Sequence, residues 1–306
     1  MSQQSLQVAN MQVTATRARA SLLSRLRKQL QTRRGLGREE GLSKPATKRV
    51  GLALSGGGAL GAAHIGVLQA LEQYGIRPYC VSGTSAGSAV GVVYCAGLSL
   101  AVIEDVALNL QWTKIGKVVR PTTGFFDGSR LEEYLVRLIG DRSFEQMLTP
   151  FACAAVDILR DELVTFREGR LAPAVRASCA FPGVFTPVES EGRLLVDGGL
   201  MNNVPVAVLR EMGANYLVAV DLSGSTVPRD PPGSLLEMWF MTLSTLIRLT
   251  HQEITLADVV IAPDVGHYDG YDLSHVPDLI KRGREAAEEA MPRILEDLGM
   301  EDRGAR

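Results

Sequence analysis

The pentapeptide Gly83-Thr84-Ser85-Ala86-Gly87 follows a short apolar run that ends at Val81, and it precedes a segment of small residues, 88–93. This order predicts a strand, a sharp turn at the serine and then a helix. Such a turn pushes the serine hydroxyl out of the fold, near the positive end of the helix dipole. The flanking glycines Gly83 and Gly87 suit a strained turn whose neighbouring backbone leaves no room for a Cβ atom. Ser85 is therefore a candidate nucleophile, and the alternative is an ordinary glycine-rich turn.

Strand and helix patterns alternate on both sides of this turn. The predicted strands cover residues 50–54, 79–81, 151–156, 163–166, 193–196, 216–220 and 259–261. The predicted helices cover about residues 62–74, 99–111, 129–139, 205–212, 234–250 and 276–298, besides the one after Ser85. This alternation predicts an α/β fold with three layers, α/β/α, around a mainly parallel central sheet. We assign residues 48–298 to this domain and residues 299–306 to a C-terminal tail.

The totals fit one globular domain with an unusual N-terminal segment. Of 306 residues, 46% are hydrophobic and 22% are charged, which is ordinary for a soluble protein. No secretory signal and no long apolar stretch is visible, so we expect a cytoplasmic protein, peripheral to the membrane at most. The net charge of −2 gives no reason to expect a nucleic-acid partner. The four cysteines lack the paired spacing of zinc or redox sites, so we expect reduced, mostly buried thiols, no metal and no cofactor.

The basic charge is concentrated at the N-terminus. Residues 1–49 contain 11 Lys and Arg but only 2 Asp and Glu, a local balance of +9. Residues 1–47 therefore form a basic extension, flexible or amphipathic. Within it, Leu22, Leu23, Leu26 and Leu30 share one helical face among arginines, so residues 17–34 could lie on an anionic membrane surface. The alternative is a solvated tail without a partner.

A glycine loop, Gly56-Gly57-Gly58-Ala59-Leu60-Gly61, follows the first strand. Its Gly-x-Gly-x-x-Gly spacing also occurs in dinucleotide-binding folds, which place an acidic residue at the end of the second strand. No carboxylate occurs in residues 75–81, and no Gly-Lys-Ser/Thr follows the loop. The loop's other use is to point consecutive N–H groups at one oxygen anion, as an oxyanion hole does.

A third motif, Asp197-Gly198-Gly199, follows the apolar run 194–196. An aspartate at the carboxyl end of a strand lies where parallel sheets place their sites. Asp197 could accept the proton of Ser85 or orient a histidine, and the alternative is a turn aspartate that caps the next segment.

The order of these motifs resembles the patatin-like phospholipase family, including the catalytic domain of neuropathy target esterase. The resemblance covers about residues 49–290 and also includes residues 126–128, 176–185 and 202–205. It implies a serine acyl hydrolase with a Ser–Asp dyad: Ser85 as nucleophile, Asp197 as base, and the backbone around Gly56, Gly57 and Gly58 as oxyanion hole. Gly61, Gly83, Gly87, Gly198 and Gly199 complete the motifs. Leu60 departs from the family pattern, because an arginine or lysine is common there.

The implied substrates are phospholipids, lysophospholipids or other acyl esters, among which the sequence does not choose. Three alternatives remain. A Ser–Asp–His triad could use His267, since His251, His267 and His275 all follow Asp197. The fold could instead serve a non-catalytic regulatory protein that binds lipid or protein. The apolar helix at 234–250, with a polar line of Glu237, Ser244 and Arg248, could be a core helix touching solvent along that line, or a lid, acyl-chain wall or membrane-facing surface.

Overall fold

The computed structural model describes residues 48–224 and 231–301, so the extension at 1–47, with its segment 17–34, lies outside the described residues. The fold is α/β, with a mostly parallel central sheet between helices, which confirms the predicted fold class. The strands are β1 Val50–Leu54, β2 Cys80–Thr84, β3 Lys117–Val118, β4 Gly124–Asp127, β5 Phe151–Asp157, β6 Glu162–Phe166, β7 Gly183–Phe185, β8 Val188–Ser190, β9 Arg193–Asp197, β10 Tyr216–Val220 and β11 Val259–Ile261. The helices are α1 Ala63–Gln73, α2 Ala86–Cys95, α3 Leu100–Leu108, α4 Trp112–Ile115, α5 Ser129–Ile139, α6 Leu171–Ser178, α7 Ala207–Glu211, α8 Leu235–Arg248 and α9 Val276–Leu298.

The central sheet has the strand order β11-β10-β1-β2-β5-β9-β8, with β6 also paired to β5. All pairs from β11 to β5 are parallel, whereas β6, β8 and β9 add antiparallel pairs. Every residue of β1, β2, β5 and β10 is buried, as expected for strands covered on both faces. Alternate residues of β1 join two cores: Leu52 and Leu54 pack with α1, α2 and α9, while Ala53 packs with the α7 side.

The register explains how two distant parts of the chain meet. Strands β2 and β9 both pair along the same edge of β5, because β6 occupies its other edge. On that edge, Thr84 of β2 pairs with Ala154 and Asp197 of β9 pairs with Ala155. The carboxyl ends of β2 and β9 therefore face each other head-on. Asp197 ends a strand at the edge of the sheet where we expected it. The expectation assumed a parallel strand, however, and β9 is antiparallel to β5. The end of β9 therefore faces the end of β2 instead of lying beside it.

Several elements were not predicted from the sequence, among them strand β8 and helices α4 and α6. A small sheet of order β3-β4-β7 lies outside the central sheet, and Arg176 of α6 forms ion pairs with Asp127 at 3.1 Å and Glu132 at 3.4 Å beside it. A short helix of 3-10 type, Gly58–Ala62, joins the glycine loop to α1. Helices α1 and α9 pack with their backbones in contact, because a Cβ atom on Gly283 would collide with the Ala63 carbonyl.

The state of the cysteines and the length and apolarity of the helices complete the description of the fold. All four cysteines are free; Cys80, Cys95 and Cys153 are buried, and Cys179 is half-buried. In the part of the chain that the structure describes, none of the helices combines the length and apolarity needed to cross a membrane.

Candidate active site

Ser85 lies on a strained turn between β2 and α2. Its backbone has φ 51° and ψ −124°, a left-handed conformation that non-glycine residues rarely adopt. The turn is fixed by a hydrogen bond from Ser85 N–H to Ser178 Oγ at 2.9 Å and by one from Ser88 Oγ–H to the Ser85 carbonyl at 2.6 Å. A Cβ on Gly87 would collide with the Leu54 carbonyl, and one on Gly83 would lie 2.6 Å from Gly87. The two glycines are therefore required by close approach of the backbone.

Asp197 is buried beside this turn, with 1% of its surface exposed. Its Oδ1 accepts a hydrogen bond from Gly199 N–H at 2.9 Å, which caps the short helix Gly198–Leu200. Its Oδ2 is buried and has no hydrogen bond of ordinary geometry from the described residues. One oxygen is thus held by the backbone while the other is left to receive a proton.

Burial raises the pKa of Asp197 to about 6, against the lowering effects of the nearby Ser85 hydroxyl and of the Gly199 N–H. Desolvation dominates because a buried carboxylate loses the water that stabilises its charge. A carboxylate with this pKa is a better proton acceptor than an exposed aspartate, and it is still ionised at neutral pH.

The glycine loop borders the same cavity as Ser85. Gly56 N–H donates to the Asn203 carbonyl at 3.2 Å, and Ala59 N–H donates to the Gly270 carbonyl at 2.7 Å. Gly58 has φ +60°, and a Cβ atom there would collide with the Gly270 carbonyl. Between these anchored positions, the N–H groups of Gly57 and Gly58 donate to no group in the described residues. Two donors beside the serine are thus free to bind an anion.

A buried polar chain that the sequence did not reveal supports this loop from behind. Asp221 Oδ2 lies 3.4 Å from His251 Nδ1, and His251 Nε2 lies 3.0 Å from Asn203 Nδ2. If Nδ1–H donates to the carboxylate, Nε2 accepts from the Asn203 amide. The Asn203 Oδ1 then lies against Gly56, since a Cβ atom there would be 2.6 Å from it. Asn203 belongs to a stretch noted in the sequence. The other two residues of the chain, Asp221 and His251, are 18 and 48 residues away, and no local pattern links the three.

The other histidines contact different groups. His267 Nε2 lies 3.4 Å from Asp264, and His275 lies between Asp272 and Asp278, both rings being about half exposed. His64 is buried and bound to the Ser55 carbonyl at 2.8 Å, and burial lowers its pKa to about 4. Across residues 48–224 and 231–301, no described contact joins a histidine to Ser85 or Asp197, and no cluster of three metal-ligating side chains occurs.

The cavity in front of Ser85 has a volume of about 790 Å³. One arm runs along α2 between α3 and α5, and its lining is apolar: Val90, Val93, Ile103, Val106, Leu131 and Leu135. The other is bordered by α8. Since a helix rises 1.5 Å per residue, Val93 lies about 12 Å beyond Ser85. The first arm extends along α2 and its lining is apolar, which suits a hydrocarbon chain.

The interpretation of the apolar helix α8 as a core helix that touches solvent only along its polar line is wrong. The polar line of Glu237, Ser244 and Arg248 borders the cavity, whereas large apolar side chains such as Leu235 and Leu246 are exposed.

A family model and the names of two relatives in sequence point to one family. The family model for patatin-like phospholipase matches residues 52–210, just over half of the chain. An uncharacterized NTE family protein of Mycobacterium tuberculosis is 36% identical over 218 residues, which cover 70% of this chain and 59% of that protein. Lysophospholipase NTE1 of Cryptococcus neoformans is 33% identical over 202 residues, 63% of this chain and 12% of that protein. Among solved structures, VipD from Legionella pneumophila is similar over 82% of this chain and 67% of that chain, with a TM-score of 0.49 and 15% identity.

Proposed function

This chain belongs to the patatin-like phospholipase family, and we propose that it is a serine acyl hydrolase that cleaves carboxylic esters of lipids. The observation that carries the proposal is the head-on approach of β2 and β9 along β5, which brings a half-buried serine on a strained turn to a buried carboxylate with a raised pKa.

In the proposed reaction, Ser85 Oγ attacks the ester carbonyl carbon while Asp197 Oδ2 accepts the hydroxyl proton. The carbonyl oxygen becomes an oxyanion that accepts hydrogen bonds from the Gly57 and Gly58 N–H groups. Collapse of this intermediate expels the alcohol, which takes the proton from Asp197, and leaves an acyl group on Ser85. Water then attacks the acyl-enzyme while Asp197 accepts its proton. Collapse of this second intermediate breaks the bond to Ser85 Oγ, which takes the proton back from Asp197, and the carboxylic acid leaves.

Burial explains how an aspartate could act without a histidine. An exposed aspartate, with a pKa of about 3.9, is a weak base. The raised pKa of Asp197 narrows the gap to the serine hydroxyl, and the apolar surroundings strengthen every hydrogen bond in the site. The buried chain Asp221–His251–Asn203 keeps the glycine loop in place while charge develops on the substrate.

The cavity supports long-chain lipid substrates. Its volume is in the range of sites for lipid-sized ligands, and its arm along α2 can bury an acyl chain of a phospholipid, a lysophospholipid or a neutral ester. Leu60, which also lines the cavity, adds apolar surface where a cation is common in the family, so the site does not depend on an anionic head group there.

The test is hydrolysis of p-nitrophenyl butyrate and of lysophosphatidylcholine, with EDTA present, by the wild type and by Ser85→Ala, Asp197→Asn and His267→Ala. We expect Ser85→Ala and Asp197→Asn to lose at least about a thousandfold in kcat, and His267→Ala to be nearly normal. The matched control is Asp157→Asn, because Asp157 is also buried in this sheet but pairs with Arg160.

Labelling by a fluorophosphonate gives an independent result. The wild type should be labelled at Ser85 only. A folded His267→Ala protein without activity would replace the dyad by a triad, and a folded wild type that is neither labelled nor active would favour the non-catalytic binding protein.

A further inference from the structure

Helix α8 carries an uncharged stripe on its outer face. We define the α8 stripe as Leu235, Met238, Trp239, Thr242, Thr245, Leu246 and Leu249, residue 249 being the helix C-cap. At 3.6 residues per turn these seven residues fall within an arc of roughly 120°. The five large apolar side chains among them are between 50% and 87% exposed. A helix on a water-facing surface ordinarily places large apolar residues inward, so their exposure along one face of α8 is unusual.

The two threonines of the α8 stripe reinforce this pattern. Thr242 Oγ1–H donates to the Met238 carbonyl at 2.8 Å, and Thr245 Oγ1–H donates to the Met241 carbonyl at 2.8 Å. Both hydroxyl protons are thus used within the helix, and water is not needed to satisfy them. Thr245 Oγ1 also accepts from Arg248 Nη2 at 3.0 Å, so a cation lies at one edge of the α8 stripe.

The opposite face of α8 forms part of the proposed substrate cavity. Glu237, Phe240, Ser244, Ile247 and Arg248 line that cavity, and the Phe240 ring lies 5.0 Å from the ring of Tyr271, which also lines it. A single helix therefore separates the cavity from the medium outside.

The small sheet carries cations two strands away from the α8 stripe. The Trp239 indole lies against Gly183 of β7, which pairs with β4, and β4 pairs with β3. Neighbouring strands are about 4.8 Å apart, so β3 lies about 10 Å from β7. On and just after β3, Lys117 and Arg120 are exposed, and Val118 is an exposed apolar side chain between them. Apolar residues flanked by cations match a membrane surface, where acyl chains lie beneath phosphate groups.

We propose that the α8 stripe and the neighbouring β3 segment, residues 117–120, are the surface by which this protein docks on a phospholipid bilayer. The proposal rests on the proposed function for its choice of partner, because the bilayer would supply the substrate. The proposal assigns membrane contact to α8, and it is separate from any membrane contact that residues 17–34 make.

The experiment measures binding and hydrolysis separately. Co-sedimentation with vesicles of phosphatidylcholine and phosphatidylglycerol uses Ser85→Ala protein, so that binding is observed without turnover. Leu235→Glu and Leu246→Glu are introduced into the α8 stripe; a glutamate at position 235 also favours the helix, since it lies in the first turn. Leu148→Glu is the matched control, because Leu148 is 77% exposed and precedes the amino end of β5, at the edge of the sheet away from Ser85.

We expect each stripe variant to bind vesicles at least about tenfold more weakly, because the full burial of one leucine side chain strengthens binding by about this factor. Leu148→Glu should bind like the parent. The double change Lys117→Ala/Arg120→Ala should weaken binding to anionic vesicles and reduce its dependence on salt. In the active protein, the stripe variants should lose vesicle hydrolysis but keep hydrolysis of dissolved p-nitrophenyl butyrate.

Three results would overturn the proposal. Stripe variants could bind vesicles as well as Leu148→Glu does. The wild type could be a dimer that Leu246→Glu converts to monomers, which would make the α8 stripe an interface between copies. Deleting residues 1–47 could be required before vesicles bind, which would make that segment the occupant. If the wild type binds vesicles through the α8 stripe but hydrolyses no ester, the proposed function fails while the docking surface stands.

Discussion

Replacing Asp197 by asparagine should stabilise the protein while abolishing its activity. Asparagine keeps the size and shape of the side chain and an oxygen that can accept from Gly199 N–H at the Oδ1 position. It removes a charge that is buried in apolar surroundings. The change therefore separates the energetic cost of the carboxylate from its chemical use.

The size of the effect follows from the pKa of Asp197. Burial raises this pKa from 3.8 to about 6, a shift of about two units, and each unit corresponds to 1.36 kcal/mol. The folded protein holds the proton more tightly than the unfolded chain does, so stability is lost as the pH rises from about 4 through 6. Above that range the ionised carboxylate costs about 3 kcal/mol, and Asp197→Asn should be more stable by about this amount.

Urea or thermal unfolding of both proteins between pH 4 and pH 8 measures this difference. The advantage of Asp197→Asn should be smallest at pH 4 and reach its full value near pH 8, where it raises Tm by about 6–12 °C for a domain of this size. In the wild type, kcat/KM should rise with pH through an inflection near 6, because only the ionised carboxylate accepts a proton.

Asp157→Asn is the control with the opposite sign. Although burial alone would raise it, the pKa of Asp157 is lowered by Arg160 and by the N–H groups of Leu159 and Leu194. Its ionised form therefore stabilises the fold above the ordinary carboxyl pKa, and this stabilisation is lost as the pH falls through the lowered value. Asp157→Asn should thus be destabilising at neutral pH. A stability difference between wild type and Asp197→Asn that does not change from pH 4 to pH 8 would refute the argument.

Three further changes test the loop, the polar chain behind it and the cavity. Gly58→Ala should lower kcat/KM at least about a hundredfold in ester hydrolysis, because its Cβ atom would displace the loop from the Gly270 carbonyl. His251→Leu should lower kcat about tenfold with little change in KM, since the Asn203 amide loses its acceptor, and His251→Gln should recover part of the loss. Val93→Phe should abolish hydrolysis of a palmitoyl ester while leaving a butyryl ester unaffected, because it narrows the far end of the apolar arm.

Each of these changes has its own control or contrary outcome. Gly169 also has a positive φ, +81°, but open space around its Cβ position, so Gly169→Ala should cost stability without reducing activity. Equal losses in His251→Leu and His251→Gln would show that the imidazole does not act through its hydrogen bonds. Equal losses for both chain lengths in Val93→Phe would show that the arm along α2 does not hold the acyl chain.

Much of the fold was accessible from the sequence because its signals are local. Strands β1, β5 and β10 are mostly apolar runs, and glycines at Gly83 and Gly87 fix the turn at Ser85 over five residues. The pairing of Ser85 with Asp197 was implied by the family resemblance, whereas the argument from the end of a parallel strand does not hold, because β9 is antiparallel to β5. The meeting of the two residues depends on which edge of β5 each strand uses, and that choice follows from the position of β6, which no pattern around Asp197 contains.

The rest was inaccessible for two physical reasons. Strands β3 and β7 have two and three residues, too few to show a period of two, and the hydrogen bonds from Asn203 to His251 join positions 48 residues apart. Helix α8 shows a different limit. Its periodicity gave a polar line correctly, but periodicity does not say which face meets the protein, and here the polar line borders a cavity.

The packing of α9 on α1 has a consequence for protein engineering. Residues 52–210 carry the three motifs, but they depend on contacts with later residues. The Gly270 carbonyl positions the glycine loop, and Gly283 is pressed against the start of α1. Strand β10 lies beside β1 as well. A chimera that exchanges residues 52–210 with a relative therefore needs residues 216–298 from the same donor. Recombination points are better placed at surface loops outside both segments.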